Sequence, residues 1–108
     1  MSFERGQCYV IAYRKGGVGK SPFRSVLVCS VRGNAVYAIP LDKLVRYNAE
    51  KKIAEILEIP FFGKRPEPQT FLLDRVKYGR QIVDYKKYME KRITDYAKTA
   101  LGEIQTAR

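Results

Sequence analysis

The fold of this chain is decided by residues 23–41, which read FRSVLVCSVRGNAVYAIPL. β-Branched and aromatic residues fill the first part, up to Val31, and favour a strand. Arg32-Gly33-Asn34 predicts a turn, because glycine and asparagine tolerate a positive φ angle. Residues 35–41 predict a second strand, so the two close a hairpin. Pro40 indicates an end or an edge of that strand, because proline cannot donate to the ladder.

Further strands are predicted on both sides of this hairpin. Residues 7–13, QCYVIAY, are rich in aromatic and β-branched types and precede it. Residues 70–78 and 80–83 predict two short strands around Gly79. The fold class predicted from the residues is α+β, with a small, strongly bent antiparallel sheet or partial barrel.

Two helices complete this prediction. Asn48 is a suitable N-cap for a short internal helix over about 49–58, and residues 59–69 form a loop with three prolines. Asp84 can cap a long final helix over roughly 85–105. Its apolar stripe has 3–4 spacing and predicts packing on the sheet or on a second copy of the chain, which leaves a homodimer open. The stripe comprises Tyr85, Tyr88, Met89, Arg92, Ile93, Tyr96, Ala97, Ala100, Leu101 and Ile104.

Length and composition indicate one globular domain over residues 1–108. Of these residues 45% are hydrophobic and 30% are charged, which is an ordinary globular mixture. The 21 Lys and Arg against 11 Asp and Glu give a net charge of +10. Such a balance favours a polyanionic partner, and nucleic acid is the commonest. The first 54 residues hold ten basic and three acidic side chains, a net of +7, so the N-terminal half is the expected footprint.

The same composition excludes several classes of site. With no histidine, the chain lacks an imidazole base and a His-ligated metal. Cys8 and Cys29 are too few for a zinc site, and we expect no metal and no cofactor. Their apolar surroundings predict reduced core thiols, with a disulfide as the alternative. No run approaches a membrane span and residues 1–6 lack a signal peptide's apolar stretch, so we expect a cytoplasmic protein without a membrane partner.

Residues 15–21, KGGVGKS, resemble the phosphate-binding loop of the ParA/MinD ATPase family. Such a loop cradles phosphates with backbone N–H groups and a lysine, and it opens directly into a helix. The residues after Pro22 are β-branched and lack a helical stripe, which predicts a strand instead. A doubly wound nucleotide-binding fold also needs more residues than this chain has. We therefore interpret the match as a basic, glycine-rich loop and keep a nucleotide-binding switch as a distant alternative.

Four stretches in order resemble another family over most of the chain. They are residues 4–11 (ERGQCYVI), 24–30 (RSVLVCS), 37–42 (YAIPLD) and 73–82 (LDRVKYGRQI). The MazF/Kid (PemK) toxin family has "RG-x-[IV]-[YW]", "RPVLVxS", "vvPLT" and "cDqvrtid" at these places. The resemblance implies an SH3-like barrel with a terminal helix, usually a homodimer, and metal-independent cleavage of single-stranded RNA.

The resemblance also implies a catalytic role for one residue. The family's catalytic arginine falls on Arg24, whose guanidinium would stabilise the pentavalent phosphorane. Arg75 or Arg80 would then be further phosphate contacts. The chain departs from the pattern at Ser25, where the family has proline, and at Asp42, where it has threonine. A carboxylate near a scissile phosphate repels it, so these departures favour binding over catalysis.

Aromatic residues beside basic ones supply the remaining candidates. Unpaired bases stack on aromatic rings while Lys and Arg hold phosphates. The first hypothesis is therefore a non-catalytic nucleic-acid-binding protein, for DNA or RNA. The second is a MazF-like endoribonuclease that uses Arg24. The candidate phosphate contacts are Arg14, Lys15, Lys20, Arg24, Lys77 and Arg80, and the candidate base contacts are Tyr13, Phe23 and Tyr78.

Overall fold

A computed structural model describes residues 2–13 and 23–106 of the chain. The internal contacts divide the chain into two compact units, residues 1–41 with 67–85 and residues 42–66 with 86–108. The single domain over residues 1–108 stays a prediction.

The first unit is a five-stranded antiparallel sheet. Its strands are β1 (Cys8–Tyr13), β2 (Phe23–Arg32), β3 (Ala35–Pro40), β4 (Gln69–Leu72) and β5 (Val76–Gln81), in the order β4-β3-β2-β1-β5. Within the described residues β4 and β5 are unpaired on their outer sides, so the sheet is open and no barrel is found. With an internal and a C-terminal helix, the α+β class and the antiparallel sheet are confirmed.

The predicted hairpin of β2 and β3 is present. Gly33 has a φ of 55° in the turn, a conformation that glycine adopts without a steric cost. Val31 pairs with Val36 next to the turn, and a register shift between Val28 and Ser30 leaves Cys29 at a bulge. Pro40 ends β3 as predicted.

The strand boundary expected at Gly79 was wrong. Gly79 lies inside β5, paired with Ile11. The break comes earlier, at the single 3-10 turn Leu73–Arg75 between β4 and β5. Because β4 and β5 occupy opposite edges of the sheet, the chain must leave the ladder here and cross. The N–H of Leu73 donates to the carbonyl of Asn34 at this point, at 2.9 Å.

One face of the sheet carries the buried core of the first unit. The core side chains are Tyr9, Ile11, Val26, Val28, Val36, Ala38 and Phe71. They alternate along their strands, as expected where one face is buried. The Tyr9 hydroxyl accepts a hydrogen bond from the N–H of Glu4 at 2.8 Å, so its polar end is satisfied. The ring of Phe3 meets Tyr9 edge to face at 4.9 Å.

Both cysteines are free thiols, so the alternative of a disulfide is not formed. Cys8 pairs with Leu27 across β1 and β2 and is 1% exposed. Burial disfavours the charged thiolate and raises the pKa of Cys8 from 9.0 to about 11.

Alkaline pH is expected to destabilise the fold through Cys8. In the unfolded chain the thiol ionises near its ordinary pKa of 9.0, whereas the folded thiol holds its proton to about 11. The stabilising difference is therefore complete below pH 9 and is lost as the pH rises toward 11, by about 2 kcal/mol. Urea unfolding from pH 8 to 11 measures it. All other ionisable groups are the same in Cys8→Ala, so the gap between the two proteins isolates Cys8, and parallel curves would contradict the assignment.

The second unit contains most of helices α1 (Leu41–Ile56) and α2 (Tyr85–Thr106). The long C-terminal helix is confirmed. The internal helix is longer than predicted and begins at Leu41, so Asn48 lies inside it and is not its N-cap. The physical reason is a buried stripe at intervals of four residues, Leu41, Val45, Ala49 and Ile53, which continues upstream of Asn48.

Contacts within the second unit involve its aromatic residues. The Arg46 side chain hydrogen-bonds Tyr96, which raises the pKa of Arg46 further above its ordinary value. Tyr47 meets Phe61 edge to face at 5.5 Å. On α2, Met89 and Ala97 of the predicted stripe are buried. Arg92 interrupts the stripe and is exposed, with its guanidinium carbon 5.3 Å from the centre of the Tyr88 ring.

Candidate nucleic-acid interface

Three strand ends meet at one end of the sheet. β1 runs antiparallel to both β2 and β5 and lies between them. The last residue of β1, Tyr13, therefore lies at the same end of the sheet as the first residues of β2 and β5, Phe23 and Val76. We call the candidate residues gathered there the basic sheet end: Phe23, Arg24, Lys77, Tyr78 and Arg80.

The register brings the two parts of this set within a few residues of each other. Ala12 pairs with Phe23 on one side and with Tyr78 on the other. The next position, Ile11, pairs with Arg24 and with Gly79. Residues that are far apart in the sequence thus occupy neighbouring rows across the same three strands.

The basic sheet end presents side chains on both faces of the sheet. Directly paired residues project to the same side. Arg24 therefore shares the core face with Ile11, yet it is exposed because it lies where the core ends. Phe23 and Tyr78 share the opposite face. Arg80, which pairs with Val10, lies on that face too and is exposed. The basic groups are thus distributed around the end of the sheet.

Two aromatic rings meet over the middle strand. Phe23 and Tyr78 flank Ala12, whose small side chain separates them, and their ring centres are 6.0 Å apart at an interplanar angle of 85°. Phe23 is 54% exposed and Tyr78 is 48% exposed. Together the two half-exposed rings present a planar apolar patch to solvent.

Tyr13 is engaged elsewhere. Its ring packs edge to face on Phe71, with 5.1 Å between the centres, and its hydroxyl accepts a hydrogen bond from the N–H of Leu72 at 3.4 Å. These contacts tie Tyr13 to the margin of the core. Of the three candidate base contacts, only Phe23 and Tyr78 form the exposed pair. The candidates Arg14, Lys15 and Lys20 belong to residues 14–22, which lie outside the described residues and link Tyr13 to Phe23.

The two family resemblances also single out Asp42, Arg75 and residues 15–21. Asp42 lies in the first turn of α1, and Arg75 is an exposed residue of the 3-10 turn before β5. The glycine-rich stretch 15–21 precedes a strand, β2, and a phosphate loop requires a helix there. The expectation of a strand after Pro22 is confirmed.

The described ranges 2–13 and 23–106 contain neither a cluster of metal-ligating side chains nor a helix that could span a membrane. No group of three or more Cys, Asp or Glu side chains in these ranges is arranged to hold a metal ion. Neither α1 nor α2, over the residues described, has the length and apolar character that crossing a membrane requires.

The positive charge is shared by the two units. The first holds nine basic and four acidic side chains, and the second holds twelve and seven, so each has a net charge of +5. The excess expected in the N-terminal half does not correspond to one unit, because residues 42–54 belong to the second. Net charge alone therefore does not locate a binding surface, whereas the register of β1, β2 and β5 gathers candidate residues at one place.

The structure also contains a feature that the sequence reading missed, an apolar cavity of about 360 Å³ in the second unit. Its lining includes Ile53, Leu57, Ile59 and Ala100, with the carboxylates Glu50 and Glu103 beside them. The preceding helix end carries Glu58 at a φ of 55°. The helical spacing of Ile53 and Leu57 can be recognised in the sequence, but the return of Ile59 onto the helix cannot.

Comparison with protein-family models, with curated proteins and with solved structures finds no match for this chain. The resemblance to the MazF/Kid family therefore stays a prediction, and the function is argued from the residues of the chain itself.

Proposed function

We propose that this protein binds nucleic acid at the basic sheet end and does not cleave it. The observation that carries the proposal is the meeting of three exposed cationic side chains, Arg24, Lys77 and Arg80, with an exposed aromatic pair at one end of β1, β2 and β5. Phosphates are bound by Lys and Arg, and rings offer a surface for bases. The net charge of +10 supports the same partner class.

The three cations would act mainly through phosphates. Arginine presents several N–H donors in a planar group that matches phosphate oxygens, and lysine acts as a compact charge. Because Arg24 and Arg80 lie on opposite faces, a strand that contacts both must pass over the end of the sheet. Arg14, Lys15 and Lys20 follow Tyr13 in the chain and add three positive charges to this proposal. A strongly bent, SH3-like course of the sheet remains part of it.

Non-catalytic binding is favoured by the position of Asp42. The family resemblance would put a threonine of the catalytic site there, on the segment that follows a strand. In this chain the position is the first turn of a helix and carries a carboxylate. A negative charge disfavours an approaching phosphate. A homodimer through α2 is compatible with the proposal and is not required by it.

Binding is expected to depend steeply on salt. Each phosphate contact releases counterions, so for three or more contacts log affinity should fall against log salt with a slope of about −2 or steeper for single strands and about −2.7 or steeper for B-DNA. Fluorescence anisotropy with labelled DNA and RNA 20-mers, at salt concentrations from about 50 to about 300 mM, measures the slope. A flat response would contradict nucleic-acid binding.

The RNA arm of the same titration tests the absence of catalysis. The RNA is recovered after incubation in excess chelator and examined for chain breaks. We expect intact RNA. Cleavage at defined sites that disappears in Arg24→Ala would overturn the non-catalytic proposal and favour the endoribonuclease instead.

A further inference from the structure

We infer that the Phe23–Tyr78 pair is a base-stacking site, so that the protein binds single-stranded DNA and RNA in preference to duplexes. The inference rests on the proposed function and adds to it the form of the nucleic acid. It comes from the placement of two rings and one guanidinium on the same face of the sheet, a placement that net charge does not require.

The two rings lie on either side of the middle strand, β1. Phe23 starts β2 and Tyr78 lies near the start of β5, and both are opposite Ala12 of β1. Neighbouring strands lie about 4.8 Å apart, so two rings separated by one strand must lean toward each other to reach 6.0 Å between their centres. The small Ala12 side chain leaves room for this. The two rings meet edge to face, at an interplanar angle of 85°.

The Phe23 and Tyr78 rings are about half exposed, although the same sheet buries Phe71 and Tyr9 almost completely. Two adjacent exposed rings form an apolar patch, and such a patch marks a contact surface more than a single exposed side chain does. A flat apolar ligand would cover them, and a nucleobase is such a ligand because every base has a π face.

The charge beside the rings selects the ligand. Arg80 lies two residues from Tyr78 on β5 and on the same face, paired with Val10. Lys77 and Arg24 are exposed next to the two rings in the sequence. A base on the rings therefore shares its face of the sheet with the Arg80 guanidinium, which can bind a phosphate. Bases in a duplex are stacked on each other and offer only their edges, so such a ring contacts an unpaired base far better.

Leucine variants test the stacking. Phe23→Leu with Tyr78→Leu keeps apolar bulk and removes both π faces, while Tyr78→Phe is the matched control that keeps a ring. The probes are labelled 20-mers, single-stranded and duplex, of DNA and of RNA, at one salt concentration. We expect the wild-type protein to prefer single strands by roughly tenfold. The double variant should lose that preference by weakening single-strand binding more than duplex binding, whereas Tyr78→Phe should keep the preference.

The outcomes separate this inference from the proposed function. Salt-dependent binding with equal affinity for single strands and duplexes would overturn the inference and leave the proposed function standing. Equal weakening of both probes by the leucine variant would do the same. Absence of salt-dependent binding to any probe would overturn both.

A second measurement uses the wild-type chain and so does not depend on the folding of a variant. Single-stranded DNA that contains 5-bromouracil is bound and irradiated, and the crosslinked peptide is identified. We expect crosslinks at Phe23 or Tyr78. Crosslinks confined to α1 or α2 would overturn the inference.

Discussion

Replacing Arg24, Lys77 and Arg80 together by glutamate is expected to weaken oligonucleotide binding by about 100-fold or more at 150 mM salt, where the Debye length is about 8 Å. All three side chains are exposed at one end of the sheet. Each of the three substitutions removes a phosphate contact worth about 1 kcal/mol and adds a negative charge that repels the phosphate. Because exposed side chains contribute little to folding, the free energy of unfolding of the triple variant should lie within about 1 kcal/mol of the wild-type value.

The matched control changes the same number of charges elsewhere. Lys51, Lys52 and Lys98 are exposed residues of α1 and α2. Their replacement by glutamate lowers the net charge by the same six units. At this salt concentration we expect less than about a threefold loss of affinity, because these lysines are not among the proposed phosphate contacts. Equal losses in the two triple variants would show that the whole cationic body binds and that no local surface does.

Phe71→Ala is expected to destabilise the protein by about 3–5 kcal/mol, a large part of the stability of a small domain. Phe71 is 4% exposed on the edge strand β4, lies in the core cluster of the sheet and packs on the Tyr13 ring. Its removal leaves a cavity that the edge strand can only partly close. Urea unfolding measures the difference in free energy.

Phe62→Ala is the control for this prediction. The same side chain is removed, but Phe62 is 88% exposed, so the loss should stay within about 0.5 kcal/mol. A small effect of Phe71→Ala, close to that of Phe62→Ala, would contradict the described core.

Most of the sheet was predictable because its signals are local. The hairpin of β2 and β3 follows from β-branched runs around Gly33, whose φ of 55° is what the turn requires. The long final helix follows from an apolar stripe with helical spacing. In both cases the residues that decide the element lie within one turn or one strand of each other.

The errors came from features that depend on distant contacts. Asn48 is a good N-cap by type, but the stripe from Leu41 to Ile53 continues through it, and tertiary burial outweighs a local preference. Gly79 reads as a break, yet β1 holds it inside β5 by pairing it with Ile11. The chain breaks its ladder where it crosses to the other edge of the sheet, which no local pattern encodes.

The candidate site was predictable in its members and not in its arrangement. Phe23, Arg24, Tyr78 and Arg80 follow from aromatic and basic neighbours in the sequence. Which of them share a face depends on the strand order and on the register of β1 with β2 and β5. Alternation along β1 places Tyr13, an equal candidate by type, on the core face with Tyr9 and Ile11, where it packs on Phe71 instead.

Binding of nucleic acid at the basic sheet end is tested most directly by mapping amide chemical shifts. Isotope-labelled protein is titrated with an unlabelled single-stranded 20-mer, and the change of each amide resonance is followed. We expect the largest changes at Ala12, at Phe23 to Ser25 and at Lys77 to Arg80. Largest changes along α1 and α2, with these three stretches unaltered, would contradict it.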